Sequence, residues 1–411
     1  MTARAARYWR DVGVMLGGNA LAQALPVLAS LALARLLAPA AFGLYAAWLG
    51  VVTVAAVALT ARIEVAIPLE GEEEGRRAAV RAGLVVMVFL GAFLGLALLA
   101  AGVAGLDLAP ELALSGGIAA CLTAASQLWQ MWLAAKGMYA ELSRVRVAQA
   151  VTLSLAQIVL ASIDASAGAL VMGHLFGLVV GLGLAVRLLP LERDASGVWS
   201  GPRAAWVYLR RRYRFPLFSL PADLSSSITA QLPVLIVSAR FGADVAGCLA
   251  LAMRVLGAPI SLLGAAVLDV FRRESAAAWR ERGECQQVYD RTLKVLGLAS
   301  LVFLLLLTPI IETVFVLAFG EAWRLSGEMA FWLLPLFAFR FLASPLSYLF
   351  YVAERQSADL VWQLALLTLV ALSFILPAQH EQAIMAYSLT YSCMYALYLV
   401  LSFRLSRGLS R

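Results

Sequence analysis

The stretch FPLFSLPADLSSSITAQLPVLIVSARFGADVAGCLALAMRVLG, Phe215 to Gly257, decides the fold. It reads as two apolar helices divided near Gly242, and a bilayer core needs about 20 such residues per helix. Within it AQLPVLIVSARFGADVAGCLA, Ala230 to Ala250, resembles AQALPVLASLALARLLAPAAFGLYA, Ala22 to Ala46. Both copies run Ala-Gln, Leu-Pro-Val-Leu, small apolar residues, an arginine (Arg35 or Arg240) and a turn that closes on Gly43 or Gly247. An even number of spans separates them, so the copies share an orientation and the repeat is parallel, about an axis along the membrane normal. With Gly43 set on Gly247, Arg254 falls opposite Gly50, and the first copy has no matching charge.

Composition extends this reading to the whole chain. Of 411 residues, 62% are hydrophobic and 14% charged, against about 25% charged in a soluble domain. About 12 apolar segments of spanning length follow one another, and lipid-exposed backbone must satisfy its own hydrogen bonds, so an all-α membrane protein is expected. The expected spans include Phe42 to Ile67, Val145 to Ile163, Val245 to Phe271 and Thr292 to Phe319. The domain expectation is a six-helix lobe at 1–191, a cytoplasmic interfacial linker at 192–214 and a second six-helix lobe at 215–411. Trp199, Trp206 and Tyr208 beside the RRRYR run suit a linker lying at headgroup level.

The basic residues gather in the tails and the even-numbered loops, as at Arg76, Arg77, Arg144, Arg146, Arg210 to Arg212, Arg272, Arg273 and Arg404. The odd-numbered loops hold only Arg324. The positive-inside rule then places both termini in the cytoplasm. The net charge of +7 is thus a topology signal and a contact with anionic lipid; no nucleic-acid partner is implied. The four cysteines have no paired spacing, and no disulfide, metal site or cofactor is suggested.

Charges inside spans carry the functional signal, because each costs about 2.5–3.5 kcal/mol at mid-bilayer. Arg254 and Arg340 lie near mid-span with no acid at their depth. A guanidinium in that position suits a phosphate or diphosphate, which it grips bidentately. Arg35, Arg240 and Arg62 lie nearer the span ends, where a long side chain reaches the interface. Glu64, Asp223, Asp269, Glu312 and His174 are the candidates for ion coupling, and Asp223 or Glu312 is also a possible partner for a mid-span arginine. Pro26, Pro221, Pro233, Pro259, Pro309, Pro335 and Pro345 each interrupt a helical ladder, so bends are expected. With only Lys136 and Lys294 as lysines, no nucleotide-binding phosphate loop exists, and no catalytic triad or zinc motif stands out.

The segments MLGGNALAQALPVLASLALARLLAPAAFGLYAAW, RIEVAIPL, FPLFSLPADLSSS, RFGADVAG and RVLGAPISLLG resemble the Wzx-type O-antigen flippases of the polysaccharide-transporter family, in the superfamily that also holds lipid II flippases and multidrug antiporters. The resemblance implies two six-helix lobes around a central cationic cavity. It implies alternating access that moves an undecaprenyl-diphosphate-linked oligosaccharide from the cytoplasmic to the periplasmic leaflet of a bacterial inner membrane, upstream of a glycan polymerase and chain-length machinery in lipopolysaccharide biosynthesis. Arg254, Arg340, Arg35, Arg240 and Arg62 are then the candidates for diphosphate or acidic-sugar contact. Trp48, Trp129, Trp132 and Trp332 are candidates for stacking on sugars. Two alternatives stay open: a drug or metabolite antiporter of the same superfamily, which would present ion-binding carboxylates, and a membrane glycan polymerase or ligase, which would need a large polar outer loop.

Overall fold

The computed structural model describes residues 3–103, 110–191, 202–353 and 355–408. The helices are α1 (Ala3–Leu36), α2 (Pro39–Thr60), α3 (Glu73–Val103), α4 (Pro110–Ala135), α5 (Tyr139–Ile163), α6 (Ala167–Leu188), α7 (Pro202–Arg211), α8 (Leu220–Phe241), α9 (Ala243–Arg282), α10 (Gln286–Leu307), α11 (Ile311–Phe319), α12 (Arg324–Leu346), α13 (Leu349–Val352), α14 (Gln356–Ile375) and α15 (His380–Ser406). No strand occurs among the described residues. Nine helices there are long and apolar enough to span a membrane, ten when the bent pair α10 and α11 counts as one. Helices α3 and α4 occupy the two remaining expected spans.

Several boundaries differ from the sequence reading for local reasons. The second span stops being α-helical at Thr60, where Ala61 and Arg62 turn left-handed (φ 45° and 60°), and continues as a 3-10 segment, Ile63–Leu69. Helix α9 runs on to Arg282, well past Phe271, until Gly283 (φ 71°) caps it. The span expected at Thr292 to Phe319 is broken, with α10 and α11 meeting at 67°. Pro309 lies in that break, whereas Pro26, Pro233, Pro259, Pro335 and Pro345 are carried inside helices. Proline breaks a span here only where flanking residues also leave the helix.

The chain divides into two compact units. The first comprises Met1–Leu37 and Tyr45–Gln231. Lipid tails are as apolar as leucine, so helices in a bilayer associate by close packing and polar contacts, and small residues permit the approach. Gly173, Gly177 and Gly181 on α6 face Gln157, Leu153 and Gln149 on α5 so closely that a Cβ on any of them would collide. Gly18 on α1 meets Ser143 on α5 in the same way. The core of this unit is built on Leu128, Trp132, Leu133, Val80, Ile63 and Ile67.

Helix α7 is docked on that core. Ala205 and Tyr208 are buried while Trp206 and Val207 are exposed, the two-faced pattern of an interfacial helix. Residues 192–201 of the expected linker, Trp199 included, lie outside the described residues. Buried Glu70 accepts from Tyr208 Oη at 2.8 Å and Arg212 Nε at 3.0 Å. Burial alone would raise the Glu70 pKa, but the hydrogen bonds from Tyr208 and Arg212 outweigh it and hold the carboxyl below 4.5. Burial and the bond to Glu70 push the Tyr208 phenol up.

The second unit comprises Ala38–Leu44 and Leu232–Arg411. At its centre the first turns of α2 and α9 cross. A Cβ on Gly43 would strike the carbonyl of Ala243, and one on Gly247 would strike the carbonyl of Pro39. The two glycines matched by the internal repeat therefore meet reciprocally, each against the residue four before the other, as self-contact in a twofold repeat requires. Phe42 packs edge-on to fully buried Trp323 at 5.2 Å. Near the chain's end, Tyr289 on α10 donates to the Leu399 carbonyl at 3.0 Å and meets Ser402 at 2.8 Å on α15.

Two outcomes test this packing. Gly43→Ala should destabilise the purified protein by about 1–3 kcal/mol through overpacking, whereas Gly183→Ala, where nothing lies within 4 Å, should stay within about 0.5 kcal/mol; thermal unfolding measures both. Glu70→Gln should accelerate hydrogen exchange across Pro202–Arg211. Because the folded-state pKa of Glu70 lies below its unfolded value, this docking energy is complete above pH 4.5 and is lost as pH falls through the folded value, so acidification of the wild type should have the same effect.

Candidate functional site

The candidate residues separate according to what each charge finds. Arg254 lies eleven residues beyond the start of α9, a rise of about 17 Å at about 1.5 Å per residue. It is half-buried and makes no hydrogen bond or ion pair with the described residues. Arg340, inside the span Glu321–Val352, is also half-buried. The ionisable neighbours that act on it are the tyrosines Tyr387, Tyr391 and Tyr395, and no carboxylate is among them.

Those tyrosines form a ladder on α15. Tyr387 and Tyr391 stand 5.3 Å apart, and Tyr391 and Tyr395 5.1 Å. Trp362 and Phe374 on α14 pack against it. At the ladder's end Tyr398 donates to Asp359 Oδ1 at 2.6 Å, and Gln363 donates to Oδ2 at 2.8 Å. The sequence reading missed this ladder and Asp359, although the spacing of four at 387, 391 and 395 puts the rings on one helix face.

Arg62 is spoken for. Its Nη1 donates to Glu64 Oε1 at 2.8 Å, and its Nε stands 2.6 Å from Asp223 Oδ2 as an ion pair whose N–H is not aimed at the oxygen. Asp223 thus partners Arg62 and neither mid-span arginine. Glu64 is buried, and its Oε2 has no hydrogen-bond partner among the described residues. Two successive non-glycine residues in the left-handed region cost about 1–2 kcal/mol each, and the ion-pair cluster fixes that turn in place.

Arg240 caps the C-terminal end of α14: its Nη1 donates to the carbonyls of Phe374, Ile375 at 2.7 Å and Pro377 at 3.3 Å. Those carbonyls are the unsatisfied, partly negative end of the helix. Arg35 is exposed at the end of α1. Among the coupling candidates, His174 Nδ1 lies 3.0 Å from Tyr45 Oη, with Trp48 edge-on at 5.6 Å. Glu312 is exposed in the first turn of α11. The side chain of Asp269 lies outside the described residues.

The tryptophans divide in the same way. Trp129 and Trp132 are core residues, Trp129 donating to the Leu189 carbonyl at 3.1 Å. Trp48 donates to Ser115 at 3.2 Å and is buried, and of the four stacking candidates Trp332 alone is exposed. Arg146 is a cation that the sequence reading put in a basic even-numbered loop. The structure begins α5 at Tyr139 and so carries Arg146 about two turns inside.

The family model described as Polysaccharide biosynthesis protein matches residues 32–327. The chain belongs to this family. No curated protein matches it. The architecture of this polysaccharide biosynthesis protein is similar to lipid II flippase MurJ in an inward closed conformation, with TM-score 0.70 at 12% identity over 95% of this chain and 89% of that one. It is similar to an inward-facing multidrug resistance MATE family transporter of the MOP superfamily, with TM-score 0.66 at 16% identity over 93% and 94%. A MOP superfamily transporter from Pyrococcus furiosus Vc1 follows with TM-score 0.60 at 15% identity over 98% and 95%. These likenesses establish an all-helical MATE- and MurJ-like fold.

The Arg62 cluster makes a measurable claim. Asp223→Asn and Arg62→Gln, combined in a double-mutant cycle of unfolding free energies, should show a coupling within about 0.5–3 kcal/mol. Simple additivity would mean that the ion pair does not hold the turn.

Proposed function

We propose that this polysaccharide biosynthesis family member is a flippase. It carries an undecaprenyl-diphosphate-linked oligosaccharide from the cytoplasmic to the periplasmic leaflet of a bacterial inner membrane by alternating access, with both termini cytoplasmic. Its product feeds a glycan polymerase and chain-length machinery, as in O-antigen and lipopolysaccharide assembly. One observation carries the reading: Arg254 is a permanent cation inside a span, half-buried, with no counterion among the described residues. Such a charge is costly in a membrane protein unless an anionic ligand or water compensates it. A diphosphate does so with bidentate hydrogen bonds.

Arg340 adds a second charge inside a span, with no carboxylate among the groups that act on it. Arg35 and Arg240 supply positive potential nearer the span ends, whereas Arg62 is held by Glu64 and Asp223. The carboxylates give weaker support to the antiporter alternative, since Glu64 and Asp223 are both engaged by Arg62.

In a strain that depends on the variant, Arg254→Ala should insert and fold yet abolish glycan export, with lipid-linked oligosaccharide accumulating in the cytoplasmic leaflet. Arg254→Lys should keep part of the export, because the charge survives and the bidentate fork is lost. Wild-type-like surface polysaccharide from Arg254→Ala would overturn the assignment.

A further inference from the structure

A cavity of about 390 Å³ opens within the first unit, lined by Asn19, Gln23, Gln130, Arg146 and Gln149 among others. Its volume lies in the range of small-ligand sites, about 300–1,000 Å³. The close approach of α1 to α5 at Gly18 and Ser143 brings Asn19 beside Arg146, which lies on the next turn of α5. Arg146 Nε donates to Gln130 Oε1 at 2.9 Å, and Nη1 donates to Asn19 Oδ1.

The chemistry of the lining follows from those two bonds. A guanidinium has donors only, so each amide must turn its oxygen toward Arg146. The NH2 groups of Asn19 and Gln130 are then left as donors, and neither has a partner among the described residues. Arg146 keeps further N–H groups of its own, because two of its five donors are used. Among the described residues, no acidic side chain lines the cavity. The site therefore holds a full positive charge, positioned by neutral groups, within a span, and around Arg146 the free polar valences are N–H groups. Such a pocket repels cations, and its charged end offers donors rather than acceptors. It is complementary to an oxyanion with several acceptor oxygens.

We propose that the Arg146, Asn19 and Gln130 pocket binds a phosphate or diphosphate group. That this group belongs to a lipid-linked substrate rests on the flippase reading above; the oxyanion preference rests on the pocket alone.

The test is binding of inorganic pyrophosphate, and separately of undecaprenyl diphosphate, to the purified full-length protein in nanodiscs. The wild type is compared with Gln130→Glu and Asn19→Asp. Each substitution preserves shape but gives Arg146 an internal counterion and replaces an NH2 donor with an acceptor. Both variants should unfold at or above the wild-type temperature and bind the diphosphate about tenfold or more weakly, the loss expected for a charge-assisted hydrogen bond. Weakening with both ligands supports the site and assigns it to the lipid headgroup; weakening with pyrophosphate alone supports it as a site for the free anion. Wild-type affinity in both variants, or no binding of either ligand to the wild type, overturns the proposal. Export by Arg254→Ala cells would refute the flippase reading and leave this binding result standing, so the two failures are distinguishable.

Discussion

The controlling constraint is the cost of charge in hydrocarbon. An ionised side chain within a span must be compensated by another charge, by dipoles, by water or by a ligand, and four arginines of this protein stand in four different relations to that requirement. Arg62 has two carboxylates. Arg240 has the carbonyl end of a helix. Arg146 has two neutral amides. Arg254 has no polar partner among the described residues. The helices that present these residues are held in register by packing that leaves little slack.

That packing comes from the removal of side chains. Association between helices in lipid lacks the hydrophobic drive available in water, so it rests on contact and on polar bonds. At Gly43 and Gly247, and again along Gly173, Gly177 and Gly181, the backbone of one helix lies where the next helix would carry a Cβ. Close approach of this kind fixes rotation as well as distance, because only one face of each helix is bare. The glycine at position 18 therefore does more than fill space: it sets Asn19 on the face that meets Arg146.

Much of this was legible in the sequence, and the limits of legibility have physical causes. Apolar length alone gave the helices, and the match of Gly43 to Gly247 gave the repeat whose glycines now prove to touch. The isolation of Arg254 was visible because no acid lies near it in sequence or at its depth. The partner of Arg62 was not, because Asp223 is brought to it by tertiary packing from another helix. Ala61 and Arg62 carry no turn signal, being neither Gly nor Asn, so their left-handed backbone is imposed by the surrounding contacts. Arg146 was read as part of a basic loop because its depth depends on where α5 begins, and helix ends are the least certain feature of a sequence pattern.

The difference between a structural arginine and a binding arginine can be stated from these cases. A carboxylate and an amide accept the same hydrogen bond and hold a guanidinium in the same geometry. The carboxylate also cancels its charge, and the amide does not. Arg62, with Glu64 and Asp223, belongs to a cluster in which two carboxyl groups face its one charge, and it has nothing to offer an anion while those pairs hold. Arg146, with Asn19 and Gln130, is oriented as firmly but keeps its charge. Orientation without neutralisation is what a site needs if it is to bind a phosphoryl group without first breaking an ion pair. It is also what allows release, since the amides continue to satisfy two N–H groups when the anion leaves. Arg254, with neither kind of partner, depends more heavily on its surroundings for compensation. A ligand that meets Arg254 therefore has to supply the compensation itself, whereas one that meets Arg146 adds to a hydrogen-bond network already in place.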